Sequence, residues 1–392
     1  MKIAYILPSL ANKGPAIVAQ NLCNMLLRRE YDIDVYYFDS ENPPTEAGGY
    51  YRLNPTEETV SEDCEFKPRH LCLKWDNSGI LENKFKTSFN CPTIKLNRKQ
   101  LPDFDTYDIL HSHMYRPDAL LAKIRPHLHN AKIISTIHSH LEKDLAYSYN
   151  NIVSAVFAPI WIRRLKEFDH VVTISHFLEK IYSTKISNIS TVYNGVMVSP
   201  KLSNANKEIT SKIENLKKER KLKIIGSYAS ITRIKGLHQI IELLPHKIDW
   251  GMVIMGEGPE KTHLEKLVIK HKIIDRVLFF PYLIDPYNYL NLFDLYAMPS
   301  YSEGFGLALV EAACAKVAAI CSDIAVFREL FNKKEVSFFT LDNQKSLSIA
   351  IDNAYENRHE LSENAHAKAI SNFTVTSMAD GYMKIYERLV NE

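Results

Sequence analysis

Twice along this chain a short, wholly apolar run leads through a polar loop into an amphipathic helix, and that alternation restricts the fold more than any other feature. Apolar runs too short for a buried helix and without in/out alternation suit strands covered on both faces, as parallel sheets require. The first winding opens with Ile3–Leu7, a polar loop from Ser9 to Gly14, and a helix through Val18, Leu22, Met25 and Leu26. It continues with strands at Val35–Phe38, Ile109–His111, Ile133–Ile137, Val171–Ile174 and Thr191–Tyr193. Between Asp39 and Asn90 lies a polar excursion with Pro43-Pro44 and Gly48-Gly49 and little periodicity. Ser199–Lys221, rich in Lys, Asn and Ser, reads as a helical or loose junction.

The second winding opens at Leu222–Gly226. It runs through a helix Leu237–Leu244, a strand Trp250–Met255, a helix Pro259–Lys270, and strands Val277–Phe280 and Leu295–Met298. A loop, a helix from about Gly306 and a strand Val317–Cys321 follow, and Phe373–Leu389 forms a final amphipathic helix. With 392 residues, the chain exceeds the size at which one core stops growing, about 250–300 residues. The expectation is an α/β protein of two doubly wound, Rossmann-like domains facing a cleft. Residues 1–198 would form the first domain, 199–372 the second, and 373–392 a helix crossing back to the first. Ligands in such sheets gather at the carboxyl ends of the strands, so the cleft is the expected site.

Charge narrows the partners. Lys and Arg number 48 against 46 Asp and Glu, a net charge of +2 spread over both halves, so the basic lobe that nucleic-acid binding leaves is missing. The six cysteines form no C-x-x-C pair, which in a chain of this length fits reduced thiols and a cytoplasmic setting. The opening apolar run stops at Pro8, too short for a signal peptide, and no stretch approaches the roughly 20 apolar residues of a membrane span. Pro159-Ile160-Trp161-Ile162-Arg163-Arg164-Leu165-Lys166 mixes apolar and basic residues at helical spacing, which suits either a packed helix with a solvated basic edge or peripheral contact with the inner face of a membrane.

The most informative stretch is Asp294 to Ala312, DLYAMPSYSEGFGLALVEA. A strand runs out into a loop carrying Glu303, with Gly304 and Gly306 allowing a sharp turn and close backbone approach. A helix then begins with its free N–H groups and positive dipole end toward the loop, an arrangement suited to a pyrophosphate. Glu311 falls on the second turn of that helix. Taken singly, Glu311 is as well read as a solvated helix residue; the constellation is what points to a ligand.

This stretch resembles the signature of the retaining glycosyltransferases of family four, which have the GT-B fold and carry two Glu separated by seven residues in an E-G-F-G-L-x-x-x-E-A setting. Met255-Gly256-Glu257-Gly258-Pro259 is similar to the family's G-x-G-P turn, and Ile231–Leu237 to its pyrophosphate loop. Val192-Tyr193-Asn194-Gly195-Val196 resembles the segment closing the first domain, and Thr173-Ile174-Ser175 a strand end just before it. The resemblance implies that Glu311 binds the donor ribose, Glu303 contacts the donor sugar, and the amides of Phe305, Gly306 and Leu307 meet sugar or phosphate. Lys235 would pair with the pyrophosphate, Gly14 would approach the phosphate from the first domain, and His138 would sit near the reacting carbon. Gly256 and Tyr282 complete the expected donor set. Glu303, His138 and Lys235 are the residues expected to carry catalysis.

Three positions depart from the family pattern. The family's usual Arg falls here on Ser230, with Arg233 as a substitute; the later Gly and Pro positions hold Lys316 and Ala318; and the first loop keeps only Gly14 of two glycines.

Breaking a sugar–phosphate bond leaves a nucleoside diphosphate with added negative charge, which fixed cations and helix dipoles stabilise without a metal. The implied function is therefore retaining transfer of a hexose or N-acetylhexosamine, most simply from a UDP-sugar. The acceptor would be a glycan or lipid-linked glycan, as in bacterial surface polysaccharide or lipopolysaccharide assembly, with no cofactor and no metal. Two alternatives stand beside it. The H-x-H pairs His111/His113, His127/His129 and His138/His140 suit a metal-dependent hydrolase, and a non-catalytic nucleotide-sugar-binding protein would keep the same donor residues. The D-x-D pairs Asp32/Asp34 and Asp103/Asp105 precede strands rather than follow them, which fits turn composition better than metal binding.

Overall fold

The computed structural model describes residues 1–11, 14–38, 89–97, 99–196 and 205–392. The Asp39–Asn90 excursion lies almost wholly outside them, as does the start of the Ser199–Lys221 junction. Two parallel sheets form. The first contains β1 (Lys2–Leu7), β2 (Asp32–Tyr37), β3 (Thr93–Lys95), β4 (Ile109–His113), β5 (Lys132–Ile137), β6 (His170–Thr173) and β7 (Ile189–Thr191), in the order β3-β2-β1-β4-β5-β6-β7. The second contains β8 (Lys223–Tyr228), β9 (Trp250–Met255), β10 (Val277–Phe280), β11 (Leu295–Met298), β12 (Ala319–Ser322) and β13 (Ser337–Phe339), in the order β10-β9-β8-β11-β12-β13. Both orders reverse direction once, between β1 and β4 and between β8 and β11. A crevice opens at each reversal, above the strands' carboxyl ends.

The apolar runs are buried as parallel strands demand: β9, for instance, has every residue covered. Small shifts from expectation have local causes. The strand expected at Thr191–Tyr193 pairs instead over Ile189–Thr191, because the chain then turns through Asn194-Gly195 toward the C-terminal segment. A Cβ at Gly195 would lie 2.4 Å from the Thr374 carbonyl oxygen, so only glycine fits the crossing. The strand expected from Val317 begins at Ala319, after Lys316 takes a left-handed φ of 57°. The short edge strand β3 is an addition to the strands expected from sequence. The junction contains a regular helix, Lys207–Arg220, capped by the Asn206 side chain.

The final helix, Val375–Asn391, lies against the first sheet beside the helix Gly14–Leu27. Its Met378, Tyr382 and Tyr386 share a buried cluster with Tyr5, Val18 and Leu22. A second continuous cluster carries Leu141 and Leu178 from the first half and Phe305 and Phe327 from the second, so apolar packing spans the seam. Among the described residues no helix is long and apolar enough to cross a membrane.

Candidate active site

The strands at the two reversal points end in the loops that carry the expected residues. After β11 the chain runs through Pro299 and Ser300 to Glu303. The helix Leu307–Cys314 then starts from Gly306, whose φ of 110° is left-handed and whose position has no room for a Cβ, since Phe327 would lie 2.8 Å away. The first amides of this helix, Leu307 and Ala308, have no hydrogen-bond partner among the described residues. They leave a positive helix end open toward the cleft.

After β8 comes a tight 3-10 turn, Arg233–Lys235, ended by Gly236 in the left-handed region at φ 64°. It is braced by Tyr301, whose amide donates to the Ile234 carbonyl at 2.7 Å. The turn delivers Lys235 to Glu303, Nζ to Oε1 at 2.7 Å, and Ser300 Oγ donates to the same carboxylate oxygen at 2.8 Å. Glu303 is only 11% exposed, so the pair is held in a partly desolvated setting where its charges act strongly.

Glu311 sits one turn further along. Its Oε2 accepts from the buried Tyr228 hydroxyl at 2.6 Å. Burial pushes the Glu311 carboxyl above its usual range; the Tyr228 hydrogen bond opposes this and the nearby Asp285 adds to it. Tyr282 and Tyr287 stand close enough to feel the Glu311 charge. Each phenol is pushed up to about 12, mainly by burial. Gly256, at φ 147°, could not accept a Cβ without striking the Ala229 carbonyl oxygen at 2.0 Å, and Gly258 likewise abuts Ile231. The G-E-G-P turn therefore works as a clamp that fixes the path of residues 229–231 leading to Lys235. Ser230 and Arg233 are both exposed on that path. The charge of Arg233 acts on His238 and Tyr301, to the side of the Lys235–Glu303 pair.

From the first half, Gly14 opens its helix facing Leu307; a Cβ at this glycine would lie 3.9 Å from Leu307 Cδ1. His138 follows β5, and its backbone carbonyl presses on Gly304 so closely that any Cβ there would meet it at 2.1 Å. Ser175 Oγ donates to the Gly304 carbonyl at 2.8 Å, so the loop is held at Gly304 by two residues of the first half. Gly14, His138, Lys235, Glu303, Gly306 and Leu307 thus converge on the cleft, while Glu311 lies in the second half with Tyr282 within reach of its charge.

Several neighbours escape the sequence reading. Tyr228, the last residue of β8, holds Glu311; its position at a strand end next to the reversal point is the available signal. Ser300 orients Glu303. Asp144, on the helix Leu141–Ser148, has its carboxyl raised by burial and senses both Lys235 and Glu303 across the cleft.

Several of the paired histidines and aspartates find structural employment. His111 hydrogen-bonds Tyr386 through Nδ1 at 2.6 Å and Thr136 through Nε2 at 2.8 Å. His127 and His129 are exposed, and His140 caps the helix Leu141–Ser148. Asp34 accepts from Tyr107, and Asp105 from three backbone amides, 129–131. Among the described residues no group of three or more His, Cys, Asp or Glu is arranged to hold a metal ion.

Comparison with known proteins gives a consistent picture. The profile of the Glycosyl transferases group 1 matches residues 208–371, and that of Glycosyltransferase Family 4 matches residues 13–199. The O-antigen biosynthesis glycosyltransferase WclY of Escherichia coli is 30% identical over 404 residues, covering 100% of this chain and 99% of that protein. The lipopolysaccharide core biosynthesis mannosyltransferase LpsB of Rhizobium meliloti is 27% identical over 183 residues, 43% of this chain and 52% of that one. In fold, the chain is similar to Anabaena HepE, solved in complex with UDP, with a TM-score of 0.72 and 15% identity over 99% of this chain and 100% of that one. With similarity to a glycosyltransferase along its whole length and the two-sheet GT-B architecture around the cleft, this chain belongs to the family-four glycosyltransferases and is a transferase enzyme.

Proposed function

We propose that this enzyme transfers a hexose or N-acetylhexosamine, with retention of anomeric configuration, from a UDP-sugar to a glycan or lipid-linked glycan during bacterial O-antigen or lipopolysaccharide assembly. The observation that carries this reading is the Lys235–Glu303 pair lying beside the open amides of the helix Leu307–Cys314. In this reading residues 1–198 hold the acceptor, residues 199–372 hold the donor, and residues 373–392 tie the two.

Lys235 and the helix N-terminus take the diphosphate, whose charge exceeds that of the single carboxylate now facing Lys235. Glu303 then turns to the sugar hydroxyls, and Glu311, steadied by Tyr228, accepts from the ribose. His138 contacts the sugar. The diphosphate leaves with its developing charge met by these fixed groups, and its oxygen takes the acceptor's proton on the same face, so neither a metal nor an enzyme nucleophile is required. The acceptor setting and the choice of UDP rest on the relatives: WclY acts in O-antigen biosynthesis by name, and HepE was solved with UDP.

A lipid-linked acceptor is favoured by one surface. The helix Asn151–Leu165 exposes Ile152, Val156, Phe157 and Ile160, with Arg163 exposed in its last turn and Lys166 just beyond. Apolar residues beside cations suit the interface of an anionic bilayer, which supports the reading that the enzyme works at the inner face of the membrane.

A thermal-shift panel of UDP, GDP and ADP with excess EDTA tests the donor reading. Stabilisation by UDP alone is expected, about 2.7 kcal/mol at a hundredfold excess over Kd. Stabilisation only after magnesium is restored, or by another diphosphate, overturns the metal-free UDP assignment. Proton NMR of the first-formed product, showing the donor's anomeric configuration, tests retention.

A further inference from the structure

Below the cleft, under the carboxyl ends of β1, β4 and β5, a run of buried polar side chains leads from the final helix to His138. Tyr386 hydroxyl lies 2.8 Å from Tyr5 hydroxyl and 2.6 Å from His111 Nδ1. His111 Nε2 meets Thr136 Oγ1 at 2.8 Å, which in turn meets Tyr382 hydroxyl at 2.9 Å. The His111 ring packs on that of His113, with centroids 4.5 Å apart and planes 28° apart, and Tyr5 covers His113 from nearby at 6.0 Å. His113 is 0% exposed. Its Nδ1 stands 2.7 Å from His138 Nε2, while its Nε2 is buried with no hydrogen-bond partner among the described residues. His138 is partly exposed, and its Nδ1 makes no hydrogen bond among the described residues.

Burial keeps all three imidazoles neutral: His111 and His138 are both lowered to about 3, and His113 is lowered further by its two neighbours. A neutral imidazole carries one N–H, so the His113–His138 contact admits two arrangements. If His138 Nε2 were the donor, the proton of His113 would sit on Nε2, leaving a buried N–H unpaired. If His113 Nδ1 is the donor, what remains unpaired is a lone pair. Orphaned buried N–H groups are the rarer of the two kinds of defect in folded proteins.

We propose that His113 is a positioning residue that donates through Nδ1 to His138 Nε2 and thereby locks His138 as the Nδ1–H tautomer, presenting a donor to the cleft. Its consequence for the reaction rests on the reading of His138 as a sugar contact. A hydroxyl that accepts from a fixed N–H has its own proton directed elsewhere, toward another acceptor, so His138 orients the hydroxyl it meets instead of merely touching it. The packing of His111 and Tyr5 keeps the His113 ring from turning, and the tyrosines of the final helix hold His111.

Nitrogen NMR of the full chain labelled with 15N-histidine, free of ligand, tests this directly, with the His138 signals identified by their loss in His138→Gln. His138 Nδ1 is expected to resonate as a protonated nitrogen and Nε2 as an unprotonated one. In His113→Leu the preference should relax, bringing both His138 nitrogens to intermediate shifts. His113→Asn, whose amide N–H can take the place of Nδ1–H, should restore the original signature. A protonated Nε2 in the unsubstituted protein overturns the proposal, and so does an unchanged His138 signature in His113→Leu. Should that variant fail to fold, the signature of the unsubstituted protein still decides. Donor binding plays no part in these readouts; the sugar-contact role is tested separately by whether His138→Ala raises donor KM.

Discussion

In the proposed role as acceptor for a donor ribose, Glu311 serves binding at the expense of stability. Its carboxyl is raised by burial, which means ionising it costs more in the folded protein than in the unfolded chain. An acid with a raised folded pKa contributes stability below its unfolded pKa and loses it as pH rises through the folded value. At neutral pH the protein therefore holds a carboxylate it would fold better without. Glu311→Gln should raise Tm at pH 7.5, and the gain should vanish toward pH 4. If Glu311 accepts from the ribose as proposed, the same change replaces a charged acceptor by a neutral one and should raise donor KM about tenfold, about 1.4 kcal/mol. Paired melting and kinetic measurements check both signs; a lower Tm at pH 7.5 would sink the account of the site as a strained acceptor.

At the scale of elements, the strands and helices were the most readable part of the chain, because strands buried on both faces have to be apolar throughout, as β9 is. The E-G-F-G-L loop was readable for a different reason: left-handed φ at Gly306, and a place at Gly304 where any Cβ would meet the His138 carbonyl oxygen at 2.1 Å, demand glycine, so geometry leaves its mark on the sequence. What stayed hidden were partners supplied by other elements. Only its place at a strand end beside the reversal point hints that Tyr228 supports Glu311, and nothing near His111 reveals that a tyrosine 275 residues away binds it. The H-x-H of β4 suggested metal chemistry because alternating strand positions share one face, but on that face His111 is bonded by the final helix and His113 by His138.

The buried imidazoles of that element carry a pH prediction. A base whose folded pKa lies below its unfolded value of about 6.5 stays neutral in the fold while the unfolded chain takes up a proton, so stability is lost as pH falls below 6.5. His111 and His113, both fully buried, should each cost about 1.4 kcal/mol at pH 5.5, about 3 kcal/mol together. Urea unfolding at pH 7.5 and 5.5 measures this, and His111→Phe should shrink the difference by about 1.4 kcal/mol, the share of one such imidazole. Equal stability at the two pH values would show that these rings are charged or exposed.

At the scale of the whole molecule, catalysis by a two-sheet enzyme depends on how firmly the halves are held across the cleft. Besides the Ser175–Gly304 hydrogen bond, the seam has a charged tie: Glu329 of the second half accepts from the amides of His176 and Phe177 at 2.7 Å each, capping the helix His176–Tyr182 of the first. A carboxylate on backbone N–H groups at a helix start gains from both hydrogen bonding and the helix dipole. This tie lies apart from the Lys235–Glu303 pair, so removing it should change closure without removing a donor contact. Glu329→Ala is expected to leave circular dichroism unchanged, since the helix His176–Tyr182 keeps Ser175 as its cap. Holding the closed cleft should then cost the donor about 1.5 kcal/mol, a roughly tenfold rise in donor KM. Hydrogen exchange should quicken at residues 176–178 and in the loop 302–306 together, because Ser175 links the two. If KM is unchanged while exchange at 176–178 alone quickens, Glu329 is a local cap, and the force closing the cleft comes from the apolar cluster shared by Leu178, Phe305 and Phe327.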